Sequence, residues 1–189
     1  MKSKTFYLSL FSILLIYSSC SKISENLEQD IIVYDTVYFD IPVLSSVTAT
    51  VAIPAVKPTL NLEEQLKNSP NNFTTSNIKA TKMTSLNMAL GLIGPKKDSI
   101  DVNNNFGNLE TVKFAFSPDG KTANIANLTI VSTAKSGALG LTPIISPDSL
   151  KPYLTDQSTN YYIRVKAKAV TTTVMKVRAA ATYTVKLAR

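Results

Sequence analysis

The stretch "ETVKFAFSPDGKTANIANLTIVS", residues 110–132, carries the clearest structural signal in the chain. Val112, Phe114 and Phe116 alternate with Thr111, Lys113 and Ala115, so one side of the run is apolar and repeats every second residue. That period belongs to a half-buried strand. Pro118-Asp119-Gly120 interrupts the pattern, and Asp-Gly supplies the positive φ angles that a tight hairpin turn needs. A second strand-like run follows to Ser132. The stretch therefore predicts an antiparallel hairpin.

The same signal recurs on both sides. "TVYFDIPV" (Thr36–Val43) alternates Val37, Phe39 and Ile41 against Tyr38 and Asp40, and "SVTATVAI" (Ser46–Ile53) alternates Val47, Ala49, Val51 and Ile53 against Thr48, Thr50 and Ala52. "NIKATKMTSLNMALGLI" (Asn77–Ile93) reads as a long strand whose phase slips near Lys82, the mark of a bulge. "NYYIRVKAKAV" and "VMKVRAAATYTVKLA", joined by Thr171-Thr172-Thr173, read as a second hairpin. Two short helical segments break the series. In "NLEEQLKNS" Leu62 and Leu66 stand four apart behind Asn61, a good N-cap. In "SPDSLKPYL" Ser146 is placed to cap, with Pro147 at the first helical position. About six to nine strands with hairpin connections predict a mainly β domain, an antiparallel β-sandwich of Ig-like or Greek-key type with one or two short helices. A small barrel is the alternative.

The first residues obey a different rule. Lys2 and Lys4 precede an apolar run from Thr5 to Tyr17, and Ser18-Ser19-Cys20 closes it with the only cysteine of 189 residues. The run of about 12 apolar residues is too short for a helix that spans a bilayer. Its layout is that of a secretory signal peptide. Small residues directly before a cysteine resemble the lipobox of bacterial lipoproteins, although Tyr17 stands where that family has an aliphatic residue. The resemblance implies cleavage before Cys20, attachment of a diacylglycerol to its sulfur, and anchoring by more than one acyl chain, which is what stable membrane attachment requires. Ser21 stands where the inner-membrane retention signal has Asp. The resemblance thus implies an outer-membrane address, with the domain facing the periplasm or the cell surface. The expected division is a signal peptide at 1–19, lipidated cysteine and polar tether at 20–30, and one β-sandwich domain at 31–189. In overall style that domain resembles the small β-sandwiches of Gram-negative surface lipoproteins, a likeness that carries over no functional residue.

Composition removes whole classes of chemistry. With no histidine, Ser-His-Asp and Cys-His machinery and His-ligated metals have no ligand to build on. With Cys20 committed to lipid, no thiolate site remains. Glu63-Glu64 is an adjacent pair that does not converge on a helix, and Asp98 and Asp101 lack the spacing and glycine of a calcium loop. "SNIK" (Ser76–Lys79) and "STAK" (Ser132–Lys135) fit the S-x-x-K of serine penicillin-binding enzymes, but a separate K-T-G strand is missing. The chain is expected to be no enzyme and to need no cofactor or metal. It reads as a binding or structural module, with a carrier of an apolar ligand between the sheets as the other reading.

Two features stand above that background. The formal charge is +7, and residues 157–189 hold seven basic residues and no acidic one. Arg164, Lys166, Lys168, Lys176, Arg178 and Lys186 alternate with apolar residues, so a hairpin would display all six on one face. Such a face suits anionic lipid, anionic polysaccharide or an acidic envelope protein, whereas lysine on an exposed strand also serves to block edge-to-edge pairing. Nucleic acid is not an expected partner of an exported chain with no aromatic single-strand signature. The second feature is a recurring tripeptide, Asp35-Thr36-Val37, Asp98-Ser99-Ile100 and Asp148-Ser149-Leu150. It is similar to the O-glycosylation sequon of some Gram-negative bacteria, which makes Thr36, Ser99 and Ser149 candidate acceptors. Asp-Ser and Asp-Thr are also ordinary turn starters.

Overall fold

The computed structural model describes residues 28–90, 103–117, 123–130, 132–144 and 150–189. Cys20, Ser99, Ser149, Asp98, Asp101, the Pro118–Gly120 turn and the expected cap at Ser146-Pro147 lie outside them. Among the described residues eight strands form: β1 (Glu28–Ile41), β2 (Thr50–Ala52), β3 (Ile78–Leu90), β4 (Leu109–Ser117), β5 (Ala123–Thr129), β6 (Ala138–Pro143), β7 (Asn160–Ala167) and β8 (Met175–Ala188). Two short helices accompany them, α1 (Leu62–Lys67) and α2 (Lys151–Thr155). The protein is mainly β, as the alternation predicts.

The expected sandwich of two sheets is not what forms. The strands make one antiparallel sheet in the order β1-β8-β3-β6-β5-β4-β7-β2, curled into a half-barrel. β6 is the reason. Its residues Ala138–Leu141 pair with β3, and Thr142 and Pro143 pair with β5, so a single strand carries the ladder from one half to the other. The two halves still meet face to face. Phe39 of β1 packs edge-on across them against Phe114 of β4, with centroids 6.0 Å apart, and within one half Tyr161 of β7 lies 4.8 Å from its register partner Phe116. Aromatic pairs in this geometry add to what their buried area contributes.

Local readings hold where the pattern was strong. β4 and β5 pair antiparallel, with a bulge between Phe114 and Ala115. β3 has register breaks at Ile78/Ala80 and Met83/Ser85, the second beside the predicted slip. Asn61 caps α1, its side-chain oxygen accepting from Glu64 N at 3.2 Å. Two readings need correction. Glu28 to Asp30, assigned to the tether, are the first rungs of β1: Glu28 pairs with Ala188, Glu28 bridges to Lys186 at 2.8 Å, and Gln29 accepts from Asn71. The terminal hairpin does not exist either. β7 pairs with β4 and β2, and β8 pairs with β1 and β3. The Thr171–Thr173 link instead crosses the end of the half-barrel, held by Leu44 N to Thr171 Oγ1 (2.8 Å), Thr171 N to Leu44 O (3.0 Å), and Thr172 N and Thr173 N to Asn104 Oδ1. Three β-branched residues cannot take the positive φ angles of a tight hairpin, and that signal was present in the sequence.

Candidate functional site

The inward sides of β7 and β8 meet at a buried polar cluster. Asp35 on β1, 2% exposed, accepts four hydrogen bonds: from Thr59 Oγ1 (2.6 Å), Thr59 N (2.9 Å), Leu60 N (3.1 Å) and Tyr161 OH (2.7 Å). Tyr161 and Tyr183 share a 2.8 Å contact. Because Tyr161 spends its proton on Asp35, Tyr183 must donate to Tyr161. Burial holds both phenols well above the usual tyrosine range, and the neighbouring Asp35 charge adds to it. Both therefore stay neutral wherever the fold persists. A buried carboxylate is tolerated only when its lone pairs are filled, and here they are.

The cluster fixes a wall. Thr59 Oγ1 also reaches Thr36 O at 3.1 Å, so the segment from Ile53 to Asn61 is pinned across the open seam between β1 and β2. A groove of 360 Å³ lies on one side, lined by Lys57, Leu60, Tyr153, Asp156 and Thr159 among others. A shallow crevice of 470 Å³ lies on the other, between Tyr38–Asp40 and Ile53–Lys57. The interior between the halves is filled by Phe39, Phe114, Phe116, Tyr161 and Tyr183.

Each predicted site residue within the described segments can now be placed. Thr36 is on the outward side of β1 and half-buried. The Asp35 of its tripeptide is the buried hub just described, a role that becomes legible once the Val37-Phe39-Ile41 alternation is extended upstream through Asp35 to Val33. The six cations are not on one face. Tyr161 and Tyr183 point towards each other, so the outward residues of β7 (Arg164 and Lys166) and of β8 (Lys176, Arg178 and Lys186) point away from each other, to opposite sides, while Lys168 stands just past the end of β7. On β8, Lys176 stands opposite Asp40 and Lys186 opposite Asp30 on the neighbouring strand. Glu28, with Asp30, raises the Lys186 ammonium above its ordinary value. On β7, Lys166 bridges to Glu110 at 2.7 Å, and just past its end Lys168 Nζ donates to the carbonyls of Ile130 and Ser132. Arg164 stands opposite Lys113 of β4. Sequence reading missed Lys113, because no motif links residues 113 and 164.

The S-x-x-K serines have local partners. Ser76 Oγ lies 2.7 Å from Thr74 Oγ1, and Ser132 Oγ accepts from Ala134 N. Neither bonds the lysine of its own pattern among the described residues. No three of His, Cys, Asp or Glu converge there on a common point, and no helix among those residues is long and apolar enough to cross a membrane. No family model matches the chain, and no curated protein is similar enough to count as a relative. Among solved structures it is similar to a crystal structure of FLHE, at 8% identity over 85% of this chain and 98% of that one, with a TM-score of 0.27. That likeness is too loose to carry any residue across.

Proposed function

We propose that the protein is a lipoprotein anchored through Cys20 to the outer membrane, where the β domain, facing the periplasm or the cell surface, acts as a non-enzymatic binding or structural module of the envelope. The observation that carries this reading is Ser18-Ser19-Cys20, directly after a short apolar run, in a chain with one cysteine. The geometry is compatible with it. From Cys20 to Glu28 the chain reaches at most about 28 Å, so an anchored domain is held close to the lipid surface. β1, 14 residues long, then runs about 45 Å away from its first residue. The non-enzymatic reading draws support from the two serine patterns, whose hydroxyls are engaged by local neighbours. The carrier reading fares worse, since aromatic side chains occupy the space between the halves that a ligand would fill.

Metabolic labelling with a fatty acid tests the anchor. Label is expected on the native chain and lost in Cys20→Ala, which should accumulate as uncleaved precursor. Label that persists in the variant overturns the reading. The candidate acceptors Thr36, Ser99 and Ser149 are checked by intact mass in the native host, where a glycan increment lost stepwise on Ala substitution is the expected result.

A further inference from the structure

The two cationic strands sit in unlike surroundings. On the outer face of β1-β8-β3, the acidic residues Glu28, Asp30 and Asp40 of β1 lie against the cations of β8. On the outer face of β2-β7-β4-β5, Arg164 is directly opposite Lys113, and the same row continues to Ala52 on β2 and Asn127 on β5. Like charges directly opposite on neighbouring strands destabilise a sheet. Among the described residues the outward positions of these four strands hold a single carboxylate, Glu110, and Lys166 takes it. The neighbouring row reads Thr50, Lys166, Thr111, Thr129. Tyr162, 42% exposed, lies one outward position before Arg164 in the same column.

We propose that this face binds an acidic polysaccharide, with a sugar carboxylate seated between Lys113 and Arg164. An anion there replaces a repulsion with two charge-assisted hydrogen bonds, and the arginine fork suits a planar carboxylate. Thr50, Thr111, Asn127 and Thr129 offer hydroxyls and an amide to sugar hydroxyls, and the Tyr162 ring offers a flat surface to a sugar ring. A lipid surface is the poorer fit, because an interfacial face needs apolar side chains to insert and these rows have none larger than alanine. Single-stranded nucleic acid calls for several stacking aromatics, and one is present. The choice of an envelope glycan rests on the exported, anchored placement proposed above; the binding itself does not.

The test uses the full chain in neutral detergent, with polygalacturonate as the probe and neutral dextran, phosphatidylglycerol vesicles and single-stranded DNA beside it. Polygalacturonate should bind at low salt, dextran should not, and binding should weaken as salt rises. The double variant Lys113→Gln/Arg164→Gln should lose about 25-fold in affinity, taking about fivefold for each surface cation, while Lys176→Gln/Arg178→Gln should lose less than about twofold, since their face carries its own carboxylates. Asn127→Glu keeps every cation and should abolish binding by placing a carboxylate beside Lys113. Equal losses in the two double variants would reduce the effect to net charge and overturn the proposal. So would absence of polygalacturonate binding at low salt, or tighter binding to vesicles or DNA. Fatty-acid labelling beside the binding measurement separates the two ideas. Retained binding with no label on the native chain, or with label that persists in Cys20→Ala, sinks the anchor alone, and Cys20-dependent labelling without binding sinks the glycan site alone.

Discussion

Strands β7 and β8 are nearly interchangeable as strings, each alternating cations with apolar residues and each carrying one fully buried tyrosine. In the fold they meet through the Tyr161–Tyr183 hydrogen bond, and their outward sides look away from each other. β8 lies beside an acidic strand, where Lys186 bridges to Glu28 and Lys176 stands opposite Asp40. β7 lies beside β4, where Arg164 meets Lys113. The meaning of an outward charge is thus set by the register of the neighbouring strand, whereas the meaning of an inward hydroxyl is set by what crosses the core.

That contrast between inward and outward sides is open to attack, beginning with alkali. Tyr161 and Tyr183 hold their protons more tightly folded than unfolded. Their contribution is intact below the unfolded tyrosine value near pH 10 and is lost as pH rises above it. Phenolate absorbance should show these two ionising only together with loss of the strand signal in circular dichroism. Early, reversible ionisation of every tyrosine would contradict the sealed core. Next in size is Asp35→Ala, which strands Thr59 N, Leu60 N and Tyr161 OH without an acceptor and should cost about 3 kcal/mol or more in urea unfolding. Asp40→Ala, on the outward side of the same strand, should stay within about 0.5 kcal/mol. Equal costs would erase the distinction.

A finer cut separates the two tyrosines. Tyr161→Phe removes a donor to Asp35 and an acceptor for Tyr183, and should cost about 2 kcal/mol; Tyr183→Phe removes one donor and should cost about 1 kcal/mol. The reverse order would mean that the chain of donors runs the other way. The smallest effect is on the outer faces. Lys113→Gln should raise stability by a few tenths of a kcal/mol in the absence of any anion, and Lys186→Gln should lower the melting temperature slightly. Matching signs would show that the two faces are electrostatically alike.

Alternation was enough to reveal the β class and the β4–β5 hairpin, and the four-residue spacing of Leu62 and Leu66 the Asn61 cap, because each depends on residues close in sequence. The continuity of the sheet was not legible. It rests on β6, whose short run "ALGLTP" (Ala138–Pro143) has little periodic contrast and whose two ends pair with different strands. The split of the cations was half legible. Thr171-Thr172-Thr173 argues against a tight turn, but nothing local says that β7 must find β4. Asp35 could be placed by phase, yet its partners at Thr59 and Tyr161 come from strand order, which sequence periodicity does not encode. The Lys113–Arg164 pair lies beyond local reading for the same reason.

The pairing of Glu28 with Ala188 at one end of the longest ladder has a mechanical consequence. β1 and β8 run antiparallel through 14 matched positions, from Glu28↔Ala188 to Ile41↔Met175. Tension applied between Glu28 and Ala188 therefore loads one rung at a time, and the ladder peels like a zipper. Tension applied between Glu28 and the far end of β8, at Met175, loads the same rungs together in shear. A domain tugged by its leading strand and gripped near Ala188 would yield at low force. Gripped near Met175, it would resist until many rungs failed at once.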